Sequence, residues 1–209
     1  AVGGSAQQDV IINSLAGFRA DFYGIVQVSN NIDGRILYYR PTGGGFQNFE
    51  FVFGVPLSTP ITGDSRVGFN TYQPSFDPAD QGALVANWLS IVNLSGSSKT
   101  FTVRKYDSAG SLIAQSAQAV AAKSRVDIDG GHTFPGPSNV GLIEILPPDG
   151  STEYLAQLMR YGYGPGSSFD FAFPLIAKPG STTTEAVLLG SGFFAQNWLE
   201  VINAGASTN

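Results

Sequence analysis

The side chains with the most chemistry to offer are one histidine, a scatter of carboxylates and a rich set of aromatics. His132 follows Asp127 and Asp129, and serines are plentiful. A Ser-His-Asp hydrolase needs more than those residue types: the base must be held by hydrogen bonds with the nucleophile in reach. No Gly-x-Ser-x-Gly elbow accompanies the histidine, so His132 is expected in a surface loop. Glu144, Glu153, Asp170, Glu185 and Glu200 are the candidates for a glycosidase-type acid/base pair. Glu50 and Asp170, however, alternate with phenylalanines, where a solvated acid is the ordinary outcome. Asp127-x-Asp129, with Asp33 and Asp149 in Asp-Gly turns, suggests calcium, which takes several oxygen ligands. No loop carries a dense Asp-x-Asp-x-Asp-Gly series, and Asx turns explain Asp-Gly equally well. Asp127 and Asp129 are the weak calcium candidates. No catalytic residue and no cofactor are expected.

The aromatics say more. There are 15 Phe, 8 Tyr and 2 Trp, and their spacing divides them by role. Phe49, Phe51 and Phe53, like Phe169, Phe171 and Phe173, recur at period two and are expected in a core. Tyr38, Tyr39, Tyr161 and Tyr163 lie near Gly-rich turns, where they could stack on sugar rings. Trp88 and Trp198 alternate with Leu89/Ile91 and Leu199/Val201. If the leucine face points inward, each tryptophan points outward or toward a neighbour, a place that suits its large area and its N–H. A tryptophan packed at a sheet edge is the equal alternative.

The elements that must position these groups read as strands. In residues 99–107, Phe101, Val103 and Lys105 face one way and Thr102, Arg104 and Tyr106 the other. Asp107-Ser108-Ala109-Gly110 signals a turn, and Leu112-Ile113-Ala114 opens a return strand. Arg125-Val126-Asp127-Ile128 is a short strand before Gly130-Gly131. Residues 141–146 are nearly all apolar, as in the middle of a sandwich, and Pro147-Pro148-Asp149-Gly150 ends them. Ser151-Thr152-Glu153 has the look of a helix cap, with Tyr154, Leu155, Leu158 and Met159 at helical spacing. The counterpart Arg35-Ile36-Leu37-Tyr38-Tyr39-Arg40 is short, aromatic and stopped by Pro41, so both segments are expected as strands and no helix longer than about two turns is expected.

That counterpart belongs to an internal repeat. Asn87-Trp88-Leu89-Ser90-Ile91-Val92-Asn93 returns as Asn197-Trp198-Leu199-Glu200-Val201-Ile202-Asn203, a shift of 110 (197 − 87). Phe49-Glu50-Phe51-Val52-Phe53 returns as Phe169-Asp170-Phe171-Ala172-Phe173, a shift of 120 (169 − 49). Gly24-Ile25-Val26-Gln27-Val28 returns as Gly141-Leu142-Ile143-Glu144-Ile145, and Val10-Ile11-Ile12-Asn13 as Val126-Asp127-Ile128-Asp129. Ordered matches at similar spacing indicate tandem modules. The expected division is 1–118 and 119–209, each boundary to within ten residues, the second lacking the hairpin equivalent to 99–115. A sheet without that hairpin presents an open edge, and open edges recruit strands from other chains. Val10, Ile11 and Ile12, with Trp88 and Trp198, are therefore the expected self-association residues.

Composition narrows the function classes. Charged residues are 13%, about half the usual ~25%, so Gly, Ser, Thr, Asn and Gln supply most of the polar surface. The net charge of −5, with 11 scattered basic residues, argues against nucleic acid, which needs clustered Lys and Arg. Cysteine is absent, which excludes disulfides and thiolate metal sites. No apolar run reaches the roughly 20 residues a bilayer-spanning helix needs, so no membrane insertion is expected.

The Asn-Trp-Leu-x-[Ile/Val]-[Ile/Val]-Asn segments resemble the immunoglobulin-like β-sandwich repeats of bacterial surface and secreted proteins. So do Thr100-Phe101-Thr102-Val103-Arg104-Lys105-Tyr106-Asp107-Ser108-Ala109-Gly110 and Ser124-Arg125-Val126-Asp127-Ile128-Asp129. The resemblance covers residues 87–145 and the start of a second copy at 197–209. It implies a spacer, stalk, adhesive or appendage module and carries over no catalytic residue. The expectation is an all-β chain of two tandem Ig-like antiparallel β-sandwich modules. Its expected role is that of a non-catalytic structural protein, extracellular or at the cell surface, whose partners are other copies of itself. A carbohydrate-binding or adhesin module with a glycan partner is the alternative.

Overall fold

The structure is a computed structural model that describes residues 8–15, 25–28, 33–41, 48–71, 84–133, 140–163, 169–179 and 201–203. It is all-β. The strands are β1 (Arg35–Pro41), β2 (Phe49–Pro56), β3 (Ser65–Asn70), β4 (Leu84–Asn93), β5 (Lys99–Asp107) and β6 (Leu112–Val120), followed by β7 (Arg125–Thr133), β8 (Val140–Leu146), β9 (Tyr154–Tyr163) and β10 (Phe169–Ile176). One four-stranded antiparallel sheet has the order β10-β9-β4-β7, a second β3-β8-β5-β6, and β1-β2 form a separate hairpin. No described helix is long and apolar enough to cross a membrane.

Alternation builds the two layers. Leu89, Ile91 and Leu158 point from the first sheet into a common core with Phe101, Val103, Ile143 and Ile145 of the second. Each is at most 4% exposed, so the interior is as dry as period-two patterning requires. Tyr154 closes the core, its ring 5.1 Å from Phe101 and its hydroxyl donating to Gly63 O and paired with Ser65 Oγ, both at 2.8 Å. The expected strands at 99–107, 112–114, 125–128, 141–146 and 154–161 are all present. The turn after β5 is closed by Gly110 N–H donating to Asp107 O, with Gly110 at φ 81°.

Each four-stranded sheet takes strands from both sides of residues 118/119. Strand pairing is non-local: β4 lies between β7 and β9, and β8 between β3 and β5. A sequence period marks like segments, not which of them share a sheet.

Four local expectations are corrected. His132 lies within β7 opposite Ala86, not in a loop. The strand runs on through Gly130-Gly131 because β7 bulges there, Gly130 being the extra residue between the Trp88–Asp129 and Asn87–Gly131 pairs. A Cβ on Gly130 would stand 3.0 Å from Asn87 O, and Gly131 adopts φ 115°, so only glycine fits that approach. Val10, Ile11 and Ile12 form no strand. Ile12–Ser14 is a 3-10 turn in which Ser14 and Leu15 N–H donate to Ile11 O and Ile12 O. Residues 25–28 likewise lie outside any strand. Phe171 and Phe173, expected in the core, lie outside it: Phe171 is half-buried and Phe173 is 37% exposed. Arg160 holds its guanidinium 5.8 and 5.6 Å from their ring centroids. The side chains of Phe49, Phe51 and Phe169 fall outside the described residues.

Candidate functional site

Hairpin β1–β2 collects the exposed apolar and aromatic side chains. Tyr38, Tyr39, Leu37 and Val52 are each more than two-fifths exposed. The strands form because aromatic and β-branched residues fill them and Pro41, which has no N–H to give a ladder, sits at their irregular end. Tyr38 stacks on Phe53 with centroids 4.8 Å apart and planes 10° apart. Phe53 in turn meets Tyr161 edge-on at 6.3 Å. The structure thus brings three aromatics into one run and joins the hairpin to β9. Tyr39 neighbours Tyr38 on the same exposed strand, and the side chain of Tyr163 lies outside the described residues.

The register of this hairpin matches that of β9–β10. Phe49, Phe51 and Phe53 face Pro41, Arg40 and Tyr38; Phe169, Phe171 and Phe173 face Tyr163, Gly162 and Arg160. The pairing slips at the same step in both, after the first phenylalanine. The shift is 120 along the Phe strands and 122 (163 − 41) along their partners. One difference separates them. The far edge of β9 is taken by β4 over its full length, whereas β1 has no second strand neighbour among the described residues.

Trp88 points away from the core, as alternation requires: Leu89 and Ile91 are buried and Trp88 is 41% exposed. Its cross-strand neighbours are Met159 and Asp129. Trp198 lies outside the described residues. Val10 and Ile11 are exposed, and Ile12 sits in the turn described above.

The acidic candidates are engaged by the protein itself. Asp127 Oδ1 accepts from Ser90 Oγ at 2.6 Å and from Arg125 Nε at 2.8 Å. Asp129 Oδ1 accepts from Gly131 N–H at 2.6 Å, with Lys105 Nζ 3.9 Å away. No described group of three His, Asp or Glu side chains gathers around a metal-sized space. Asp149 is held below the usual carboxylate range by hydrogen bonds from Ser151, Lys99 and Thr152. Glu153 is exposed in the turn before β9; the side chain of Asp170 and all of Glu185 and Glu200 fall outside the described residues.

Sequence reasoning missed a polar row on the outer face of the second sheet. Register sets Arg66, Glu144, Arg104 and Gln115 side by side across β3, β8, β5 and β6. Glu144 accepts from Arg66 at 2.7 Å, from Tyr106 at 3.0 Å and from Arg104 at 3.4 Å, and Arg104 Nε donates to Gln115 at 2.8 Å. The one legible signal was a lone acid inside an apolar strand. Flanked by two guanidinium groups on adjacent strands, this carboxylate acts as a structural clamp. A cleft of about 310 Å³ opens nearby, lined by Phe69, Thr71, Lys105, Asp107, Ile113, Gly131 and Val140. Asp107, its one acid, already accepts from the Ala109 and Ser111 N–H groups.

Comparison with family models, with curated proteins and with solved structures finds no match to the chain.

Proposed function

We propose that the chain is a non-catalytic, self-associating structural protein of the extracellular space or cell surface, a β-sandwich subunit of an appendage, stalk or filament. One observation carries this reading: hairpin β1–β2 holds Leu37, Tyr38, Tyr39 and Val52 each more than two-fifths exposed. Apolar and aromatic side chains gathered exposed on one hairpin suit an interface with another chain. The sparse charge of the chain leaves little to repel a second copy. Sedimentation of the purified chain over a wide concentration range tests it. Species growing with concentration are expected; a monomer throughout overturns the reading.

A glycan-binding role is the second reading, supported by the exposed Tyr38 ring stacked on Phe53. Titration with oligosaccharides, followed by intrinsic fluorescence and repeated on Tyr38→Ala, tests it. Saturable quenching lost in the variant would favour it.

A further inference from the structure

We infer that β6 pairs edge to edge with β6 of a second copy, antiparallel across a two-fold axis at Ala117. The inference rests on the self-association reading and adds to it a surface apart from hairpin β1–β2, together with its register.

The four edges of the two large sheets are not alike. At β3, Arg66 N–H donates to Lys178 O at 2.8 Å and Arg66 O accepts from Lys178 N–H at 2.9 Å. β10 carries Pro174 and a slip in its pairing between Phe169 and Phe171. β7 carries Arg125, Asp127 and Asp129 and bulges at Gly130. Cover, proline, charge and bulges are the usual means of keeping sheet edges apart. β6 has none of them over residues 114–120. It holds no charged residue and no proline. Its register with β5 runs unbroken from Lys105–Ala114 to Lys99–Val120. β5 is its one strand neighbour among the described residues. Residues 112–117 and 119 are exposed, so both faces of the strand reach solvent.

The occupant is a second copy because the strand is complementary to itself. Its side chains from Ala114 to Ala119 are alanine, serine and glutamine. They form no pockets for a partner of other sequence, so main-chain hydrogen bonds must supply the affinity. A two-fold axis normal to the sheet returns each residue to its own face, so opposed residues are an even number apart. Residues 114–120 have Ala117 at their centre. About that centre Ala117 meets its own copy, Gln115 meets Ala119, Ser116 meets Gln118 and Ala114 meets Val120. Ser116 and Gln118 pair opposite Val103 and Phe101 and share one face, where Gln118 Nε2 already donates to Ser116 Oγ at 3.0 Å. The axis thus sets polar against polar twice on that face and brings no charges together. Centres at Ser116 or Gln118 break the match, setting Gln118 against Ala114 or Ser116 against Val120. Matched cross-strand pairs are what favour one register over another.

The chain has no cysteine, so cross-linking can read the register cleanly. Gln115→Cys, Ser116→Cys, Ala117→Cys and Gln118→Cys variants of the full chain are oxidised mildly and resolved on non-reducing gels. The disulfide between copies is expected to peak at Ala117→Cys, the one position that faces itself at a bridgeable distance. Sedimentation supplies the second measurement. Ala117→Lys and Ala117→Glu should each weaken association roughly fivefold, because each opposes two like charges at the axis, and an equimolar mixture of the two should restore it. Ala117 is exposed, so both variants should keep the parent's urea midpoint when dilute. A cross-linking maximum at another position overturns the register and the inference with it. Association untouched by either charge, or a mixture no stronger than its components, overturns the pairing at β6 and leaves self-association standing. A chain monomeric at every concentration overturns both.

Discussion

Asn93 Nδ2 donates to Val120 O at 3.0 Å, tying the end of β4 in one sheet to the end of β6 in the other. The same amide reaches Ser97 O at 2.8 Å and Ala121 O at 3.0 Å, while Asn93 Oδ1 accepts from Ser95 N–H and Ser95 Oγ. Asn93 is wholly buried. Asn87, at the other end of the motif, is wholly buried too and donates to Gly131 O at 2.8 Å. The asparagines that bracket the repeated motif are therefore latches rather than ligands.

Asn93→Ala should destabilise the fold strongly. It strands carbonyls in the interior, and each buried group left unmatched costs about 1–3 kcal/mol. Asn93→Asp should do no better, because a carboxylate has no N–H to offer those carbonyls. Urea unfolding of both variants measures this. Midpoints equal to the parent's would show that the latch is idle.

Phenylalanines should separate by location. Phe101 is fully buried and Phe173 is 37% exposed beneath a guanidinium. Phe101→Ala should cost about 3–5 kcal/mol, whereas Phe173→Ala should cost about 1 kcal/mol or less, in line with an exposed cation–π contact. Equal losses in paired denaturation curves would contradict this division.

The contrast shows what the sequence made legible. Alternation placed Phe101, Val103, Leu89 and Trp88 on the right faces, since period two is local and a slip by one residue would invert every side chain. It placed Phe171 and Phe173 wrongly. Pairing sets Phe173 beside Arg160 and Leu175 beside Leu158 along the face that reaches the core, yet only Leu175 packs against it. How far a facing sheet extends is a tertiary fact that no strand pattern contains. The Glu144 row was hidden for a related reason, because cross-strand neighbours depend on register between segments 78 (144 − 66) and 40 (144 − 104) residues apart. The like segments were plain in the sequence, but which of them share a sheet was not: β4 pairs with β7 and β9, from the other side of residue 118.

Glu144→Gln should destabilise by about 1–3 kcal/mol, leaving Arg66 and Arg104 side by side without their shared counter-charge. Most of that should come from Arg66, since Arg104 is 37% exposed and its share is screened by water. A double-mutant cycle of Glu144→Gln with Arg66→Met should return a larger coupling than one with Arg104→Met. The reverse order would mean that the closer contact is not the stronger.

Alkaline pH should weaken the fold through Tyr154. Burial pushes its pKa from 10.0 up to about 12, in a site where the hydroxyl reaches Gly63 O and Ser65 Oγ. The folded chain thus keeps a proton that the unfolded chain releases. The stabilisation is complete below pH 10, declines as pH rises from 10 to about 12, and is gone above that. In that window the slope is about 1.4 kcal/mol per pH unit. Tyr154→Phe removes the ionisable group but keeps the ring against Phe101. It should be less stable than the parent at pH 9, where the hydroxyl's hydrogen bonds count in full. Its stability should then fall less steeply than the parent's between pH 10 and 12, so that the two unfolding curves converge. Parallel pH dependences would show that Tyr154 does not titrate on unfolding and that the alkaline loss arises elsewhere.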